Sequence, residues 1–379
     1  MNFFSPIHHL FAPHVDTEYL LQTSKLCFAP WKWRSGPEQQ IFSAELSKNL
    51  HGDVFLFSSG REAFFALLTA LGIRKGDEII VQRYTCIVVP NAIKAAKGRA
   101  IYADIDMNTL NLDIQHTEDQ ISNMTRAIVC QHTFGIPSDT SALQSLCEQY
   151  DIHLIEDCAH FIPQAIEANY AFFSFGRDKA ISGISGGAVL SRNPDVSRKL
   201  KELEENAKEH SLFYIKRLLG YPLVYAAARP FYMIGIGKVL LKCAQIVGAL
   251  VPIVSDKEKK GSMDPVLFHI PNTCATLALY DYKRLHEKNA HRHMLTKFYL
   301  EQAKKHGWRF PSEITEKFPL QKFPIFVNNP DEIRKKLKRR NIHLSDGWEN
   351  CPGILNLPTH PTMTMGQAKR LVDVLDGLL

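Results

Sequence analysis

The chain has 379 residues, enough for two or three domains with a sizeable core, and 45% hydrophobic and 22% charged residues make its composition that of an ordinary globular protein. Its 45 Lys and Arg against 39 Asp and Glu leave a net charge of +6, too small and too dispersed for a nucleic-acid footprint and better suited to an anionic small molecule. The 8 cysteines include no CxxC pair, which excludes a disulfide framework or a zinc site and fits buried thiols in a reducing compartment.

The N-terminus "MNFFSPIHHLFAPH" lacks a basic region followed by an apolar one, so no signal peptide is expected and the protein is placed in the cytoplasm. His8, His9 and His14 have no carboxylate or cysteine at a ligand spacing, so no metal is expected. Residues 1–35 read as an N-terminal segment. From about residue 53 to 192, short apolar runs alternate with amphipathic ones. "DVFLF", "DEIIVQ", "RAIYADID", "TRAIVCQ", "IHLIED", "YAFFSF" and "GGAVLS" predict strands. "REAFFALLTALGI", "VVPNAIKAAKG" and "TSALQSLCEQYD" predict helices. This alternation implies right-handed βαβ units, giving a three-layer α/β/α large domain over 36–211 with a mainly parallel sheet. Ligands of such sheets bind at the carboxyl ends of the strands.

"DVSRKLKELEENAKEH" predicts a charged helix with a solvated face. Residues 212–262 form a hydrophobic insert whose part from 212 to 254 is broken by prolines, glycines and cations. It is too interrupted to span a bilayer and predicts an amphipathic hairpin: a dimer contact, an active-site lid, a peripheral contact at the inner membrane face, or an ordinary part of the core. "SDKEKKGSMD" predicts a polar loop, and residues 272–305 one long helix. "FPLQKFPIFV", "NPDEIRKKLKRRNI" and "TMGQAKRLVDVLDGLL" predict strand, helix and terminal helix, completing a connecting helix and small α+β domain over 263–379.

Three stretches at predicted strand ends carry chemistry. In "FLFSSGREAFF", Ser58, Ser59 and Gly60 precede a helix, where amides and hydroxyls cradle a phosphate or simply cap the helix; Arg61 adds a fixed charge. In "HLIEDCAH", Asp157 ends a buried strand and calls for a cationic partner. In "FSFGRDKAISGISGG", Ser174 precedes Lys179, which is followed by small residues that leave room for a flat cofactor. A phosphate turn, a buried aspartate and such a lysine together are what pyridoxal phosphate requires.

The same segments resemble the DegT/StrS-type family of pyridoxal-phosphate-dependent sugar-nucleotide aminotransferases. "SSG", "YADIDMNTLNLD", "QHTFGIPSD", "IEDCAH", "FSFGRDKAISGISGGAV" and "GILNLPTHPTMT" each match a family motif, and the likeness runs from about residue 36 to the end except for the insert. The resemblance implies the aspartate-aminotransferase fold and a homodimer. Its substrates are a keto-sugar nucleotide and an amino-acid donor, in surface-polysaccharide biosynthesis. It implies that Lys179 forms the Schiff base and shuttles protons, and that Asp157 faces the pyridine nitrogen. Ser174, Ser59 and Gly60 hold the phosphate, and His160 contacts the phenolic oxygen. The retained lysine favours transamination over the related dehydratases.

Some positions depart from the family. Arg61 stands where it has threonine, and Cys86 where it stacks an aromatic ring, with Tyr84 nearby. Leu267 and His269 stand where a neighbouring subunit supplies asparagine and arginine. Arg61 is therefore expected to replace lost phosphate contacts. The alternatives are an enzyme acting on a lipid-linked or non-nucleotide keto compound, or a regulatory, membrane-associated relative.

Overall fold

The alternating runs fold as strands β1 (Asp53–Phe57), β2 (Glu78–Gln82), β3 (Arg99–Ala103), β4 (Thr125–Gln131), β5 (His153–Cys158), β6 (Tyr170–Ser174) and β7 (Gly187–Ser191) in a computed structural model, which describes residues 6–9, 12–345, 347–348 and 353–379. They pair in the order β1-β7-β6-β5-β4-β2-β3; β7 is antiparallel to both neighbours and all other pairs are parallel. β2 and β7 are buried along their whole length, as a sheet covered on both faces demands.

The covering helices are α1 (Thr17–Cys27), α2 (Pro37–Leu50), α3 (Gly60–Ala70), α4 (Val88–Ala95), α5 (Thr140–Tyr150) and α6 (Pro194–Glu205). On one face Phe64 and Leu67 of α3 and Ile93 of α4 pack on Ile79, Val81 and Phe172. On the other, Phe42 and Leu46 of α2 pack on Phe173 and Phe175. This is the predicted three-layer α/β/α domain.

The chain continues through α7 (Leu212–Ala228), α8 (Ile236–Ile246), α9 (Asn272–Lys283), α10 (Leu285–His306), β8 (Lys322–Phe326), α11 (Pro330–Arg339), β9 (Ile354–Pro358) and α12 (Met365–Asp376). β8 and β9 pair antiparallel, and Tyr299, Phe323, Leu337, Leu355 and Leu371 form a separate small core around them. The N-terminal segment reaches both units: Ile7–His8 pairs in parallel with Ile342–His343, while Tyr19 of α1 joins the core behind β6.

Four expectations are corrected. The predicted 272–305 helix breaks at Arg284, whose guanidinium bridges Asp16 and Glu287. The loop after the insert contains a helical turn, Asp256–Lys259, set by a reciprocal Ser255–Glu258 cap. α6 is not simply a solvated face: Val196 and Leu200 are buried, and Glu204 accepts the N–H of Leu56 at 2.6 Å, satisfying an edge-strand donor of β1. Among the cysteines, Cys243 is exposed and Cys27 and Cys86 are half-buried; Cys351 lies outside the described residues.

The insert is a pair of packed helices, as expected, but α7 buries Ile215, Leu218, Leu219 and Tyr221 in the same core as α2 and β6. Among the described residues no helix is long and apolar enough to cross a membrane.

Candidate active site

Sheet register brings the phosphate-type residues together. Phe57, Gly187 and Ser174 stand side by side across β1, β7 and β6, and Ser59 bridges to Gly186. The approach is so close that only glycine fits: a Cβ on Gly60 would lie 2.7 Å from the Cβ of Ser174, and one on Gly187 2.4 Å from the Gly60 nitrogen. Ser59 caps α3, accepting the N–H of Glu62 at 3.3 Å and donating to its carboxylate at 3.1 Å. This cap is compatible with an anion at the same turn, because the first-turn N–H groups of a helix outnumber the caps. Ser58 instead points to Nε2 of His210, 2.6 Å away.

Asp157 lies buried near the end of β5, and among the described residues its carboxylate accepts one hydrogen bond, from the N–H of Ala159 at 2.9 Å. Burial pushes its pKa up to about 6, against the pull of that N–H and of the charges on Lys179 and His132. The neighbouring Glu156 has a different task. It accepts the N–H groups of Glu167 and Ala168, both at 2.7 Å, and lies 3.0 Å from His132 Nε2. Because His132 Nδ1 accepts the N–H of Ser138, Nε2 carries the proton and donates to Glu156. His132, Glu156 and Cys158 lie together, but these bonds already occupy the histidine and carboxylate atoms that a metal would use.

Lys179 is half-buried beyond β6, its stem 3.5 Å from where a Cβ on Gly176 would sit. A clamp that sequence reasoning missed fixes its loop. His14 Nε2 donates to the carbonyl of Lys179 at 2.8 Å, Arg292 to that of Ala180 at 2.7 Å, and the Tyr19 hydroxyl to that of Ser182 at 3.0 Å. Asp281 accepts the Ser182 N–H at 2.9 Å and is itself held by His14, at 2.7 Å, and by Lys288. His14 thus holds the lysine loop in position; in the sequence it is only one of three histidines in an apolar segment. Two non-glycine residues near the site, Phe134 and Ile184, adopt φ of 56° and 70°, left-handed strain of the kind that concentrates at functional sites.

His160 accepts the Phe134 N–H through Nδ1 at 3.3 Å and stacks on Trp348 at 5.3 Å. Burial and the charges of Lys179 and Lys322 drive its pKa well below the usual histidine value, so the ring is neutral and Nε2–H remains as a donor. Tyr84 is packed against Trp348 and Phe134, 4.7 and 6.0 Å between ring centroids, and Cys86 is half-buried. Lys322, on β8, lies over the Phe134 ring at 5.5 Å; burial lowers its pKa. With Asp178, Lys179, Arg292, Gln321 and His360 it lines a narrow cavity. Lys322 and Trp348 come from the small unit, and their one sequence signal was a lone cation within an apolar strand.

The structure turns Arg61 away from the role expected of it. Its guanidinium pairs with Glu258 and donates to the carbonyl of Ile253 at 2.6 Å, which holds it on the return of the insert. The segment with Leu267 and His269 runs beside the Ser58–Gly60 turn of its own chain: the Ser58 N–H donates to the Phe268 carbonyl at 3.0 Å and Phe57 bridges to His269.

A mainly parallel seven-stranded sheet with one reversed strand, carrying a buried aspartate and a lysine in a glycine-rich loop at adjacent strand ends, is the large domain of a pyridoxal-phosphate transferase. The profile of the DegT/DnrJ/EryC1/StrS aminotransferase family matches residues 17–223, and the chain belongs to that family. It is 29% identical over 171 residues to a GDP-perosamine synthase of Vibrio cholerae, a match taking in 43% of this chain and 47% of that protein. The chain therefore aligns with about half the length of that curated relative. In fold it is similar to NtdA of Bacillus subtilis, solved with bound cofactor PMP, with a TM-score of 0.75 and 21% identity over 99% of this chain and 85% of the other. It is also similar to PseC of Helicobacter pylori, an aminotransferase involved in the biosynthesis of pseudoaminic acid, with a TM-score of 0.73 and 15% identity over 98% and 97% of the two chains.

Proposed function

We propose that this chain is a pyridoxal-phosphate-dependent aminotransferase that moves an amino group from glutamate or glutamine to a keto-sugar carried on a nucleotide, in surface-polysaccharide biosynthesis, acting as a cytoplasmic homodimer. The observation that carries the reading is the meeting of the Ser59–Gly60 turn, Ser174, buried Asp157 and Lys179 at neighbouring strand ends. The GDP-perosamine synthase and PseC likenesses support the substrate class.

The residues fit the cofactor. A cradle that a single Cβ would fill faces Ser174, and Asp157 is a desolvated carboxylate with one N–H partner among the described residues, in want of a cation. When bound, pyridoxal phosphate supplies the carbonyl that exchanges nitrogen and the sink for electrons released from substrate carbon. The first-turn N–H groups of α3 and the Ser174 hydroxyl hold the phosphate. Asp157 keeps the ring nitrogen protonated, and neutral His160 donates Nε2–H to the phenolic oxygen. Lys179 moves the proton at the reacting carbon, with its backbone held still by His14 and Arg292. Arg292 and Lys322, lining the cavity at Lys179, favour an anionic substrate group.

The test is amino transfer by the full chain reconstituted with pyridoxal phosphate, with glutamate or glutamine offered alongside keto-sugars on nucleotides. Amino-sugar product that disappears in Lys179→Ala is expected. Cofactor binding without transfer to any such sugar would overturn the substrate class and leave the cofactor site standing.

A further inference from the structure

α8 carries a face that the fold leaves open. Its inner side, Gly237, Leu241 and Ala244, is buried, and a Cβ on Gly237 would lie 2.2 Å from the carbonyl of Ala228, so the helix sits tightly against the end of α7. At about 100° per residue, Ile236, Val239, Leu240, Cys243, Ile246 and Val247 fall within one arc of about 120° directed away from that side. Val239 is 62% exposed, Ile246 74% and Val247 76%, and Phe231 and Ile234, 50% and 67% exposed, precede the helix. Singly exposed apolar residues are ordinary; a continuous arc on one helix marks a contact surface.

Charge selects the occupant. Between Ser211 and Ser255 the chain has Lys216, Arg217, Arg229, Lys238 and Lys242 and not one Asp or Glu. Lys238 and Lys242 lie along one edge of the apolar arc, Lys238 also donating to Asn341 Oδ1 at 3.2 Å, and an apolar face with a cationic edge fits an apolar medium with an anionic rim. A two-fold contact centred on α8 would bring these cations together with no carboxylate on the segment to pair them. A spanning role is excluded by length, since no described helix is long and apolar enough.

We propose that the outer face of α8 docks the protein peripherally on an anionic bilayer, with the apolar arc at the acyl boundary and the lysines at the headgroups. The inference does not depend on which substrate the enzyme uses. Docking would bring the reaction site near the bilayer. Tyr221 of α7 lies under the Arg177 guanidinium at 4.0 Å, and Arg177, two residues before Lys179, donates to the carbonyl of Val251 at 2.8 Å.

The full chain is floated with vesicles of phosphatidylcholine alone and of phosphatidylcholine mixed with phosphatidylglycerol. Flotation on the anionic vesicles, weakened by salt and reduced about tenfold or more both in Val239→Glu/Ile246→Glu and in Lys238→Gln/Lys242→Gln, is the expected result. Circular dichroism, sedimentation and amino transfer should be unchanged in both variants. Failure to float, or flotation indifferent to these substitutions, overturns the proposal. Dissociation of an oligomer by the glutamates assigns the face to a second copy and overturns it equally.

Discussion

Asp157 separates a structural role from a chemical one through pH. Its folded pKa of about 6 lies above the ordinary 3.8, so the stability it contributes is present below about pH 3.8 and is lost as pH rises through about 6. Asp157→Asn removes that loss. The cofactor-free variant should match the parent near pH 4 and exceed it at pH 7 by up to about 3 kcal/mol in denaturant titrations. Amino transfer should nonetheless fall at least about a hundredfold, because an amide cannot keep the ring nitrogen charged. Near-parental single-turnover rates in this variant would remove Asp157 from the mechanism. His14 is a positioning residue, and His14→Ala should leave the cofactor trapped on Lys179 while shifting the pH dependence of its visible absorbance and lowering kcat more than it changes KM. Asp281→Ala is harsher, leaving Lys288 buried without its carboxylate. A loss of about 3 kcal/mol or more is expected in thermal or denaturant unfolding.

Secondary elements were most legible where periodicity and burial agree. All seven sheet strands sit where apolar runs predicted them, and most of their residues are buried, as strands covered on both faces require. α6 shows what periodicity hides. Glu204 reads as one more solvated charge, yet its carboxylate satisfies Leu56 on an edge strand, a partner 148 residues away that no local pattern signals. Its pKa is pushed up to about 7, chiefly by burial, so its contribution to stability is present below about pH 4.5 and is lost as pH rises through about 7. Glu204→Gln keeps the bond to Leu56 without the charge. It should raise stability by less than about 1 kcal/mol at pH 5 and by up to about 3 kcal/mol at pH 8; equal pH profiles would contradict the assignment. The return of the insert has a similar hidden tie. Arg61→Ala should free the Ile253–Glu258 return and speed tryptic cleavage at Lys257–Lys260, while cofactor affinity changes less than about tenfold. A larger loss of affinity with unchanged cleavage would restore Arg61 to the phosphate site.

At the scale of the whole molecule, the site is assembled from both units, and this divides what the sequence could reveal. Ser59, Gly60, Asp157, His160, Ser174 and Lys179 could be proposed from the sequence because each lies at a strand end or within five residues beyond one, where ligands of such sheets bind. His14, Asp281, Arg292, Lys322 and Trp348 were not, since the N-terminal segment, α9, α10 and the small unit meet the lysine loop only through tertiary packing. Lys179 is where the two sets converge, and a cofactor attached there is the central claim. Borohydride reduction of the full chain reconstituted with pyridoxal phosphate, followed by peptide mapping, tests it most directly. The pyridoxyl group is predicted on the peptide containing Lys179, and label on Lys322 or any other lysine, or no label at all, would contradict the account.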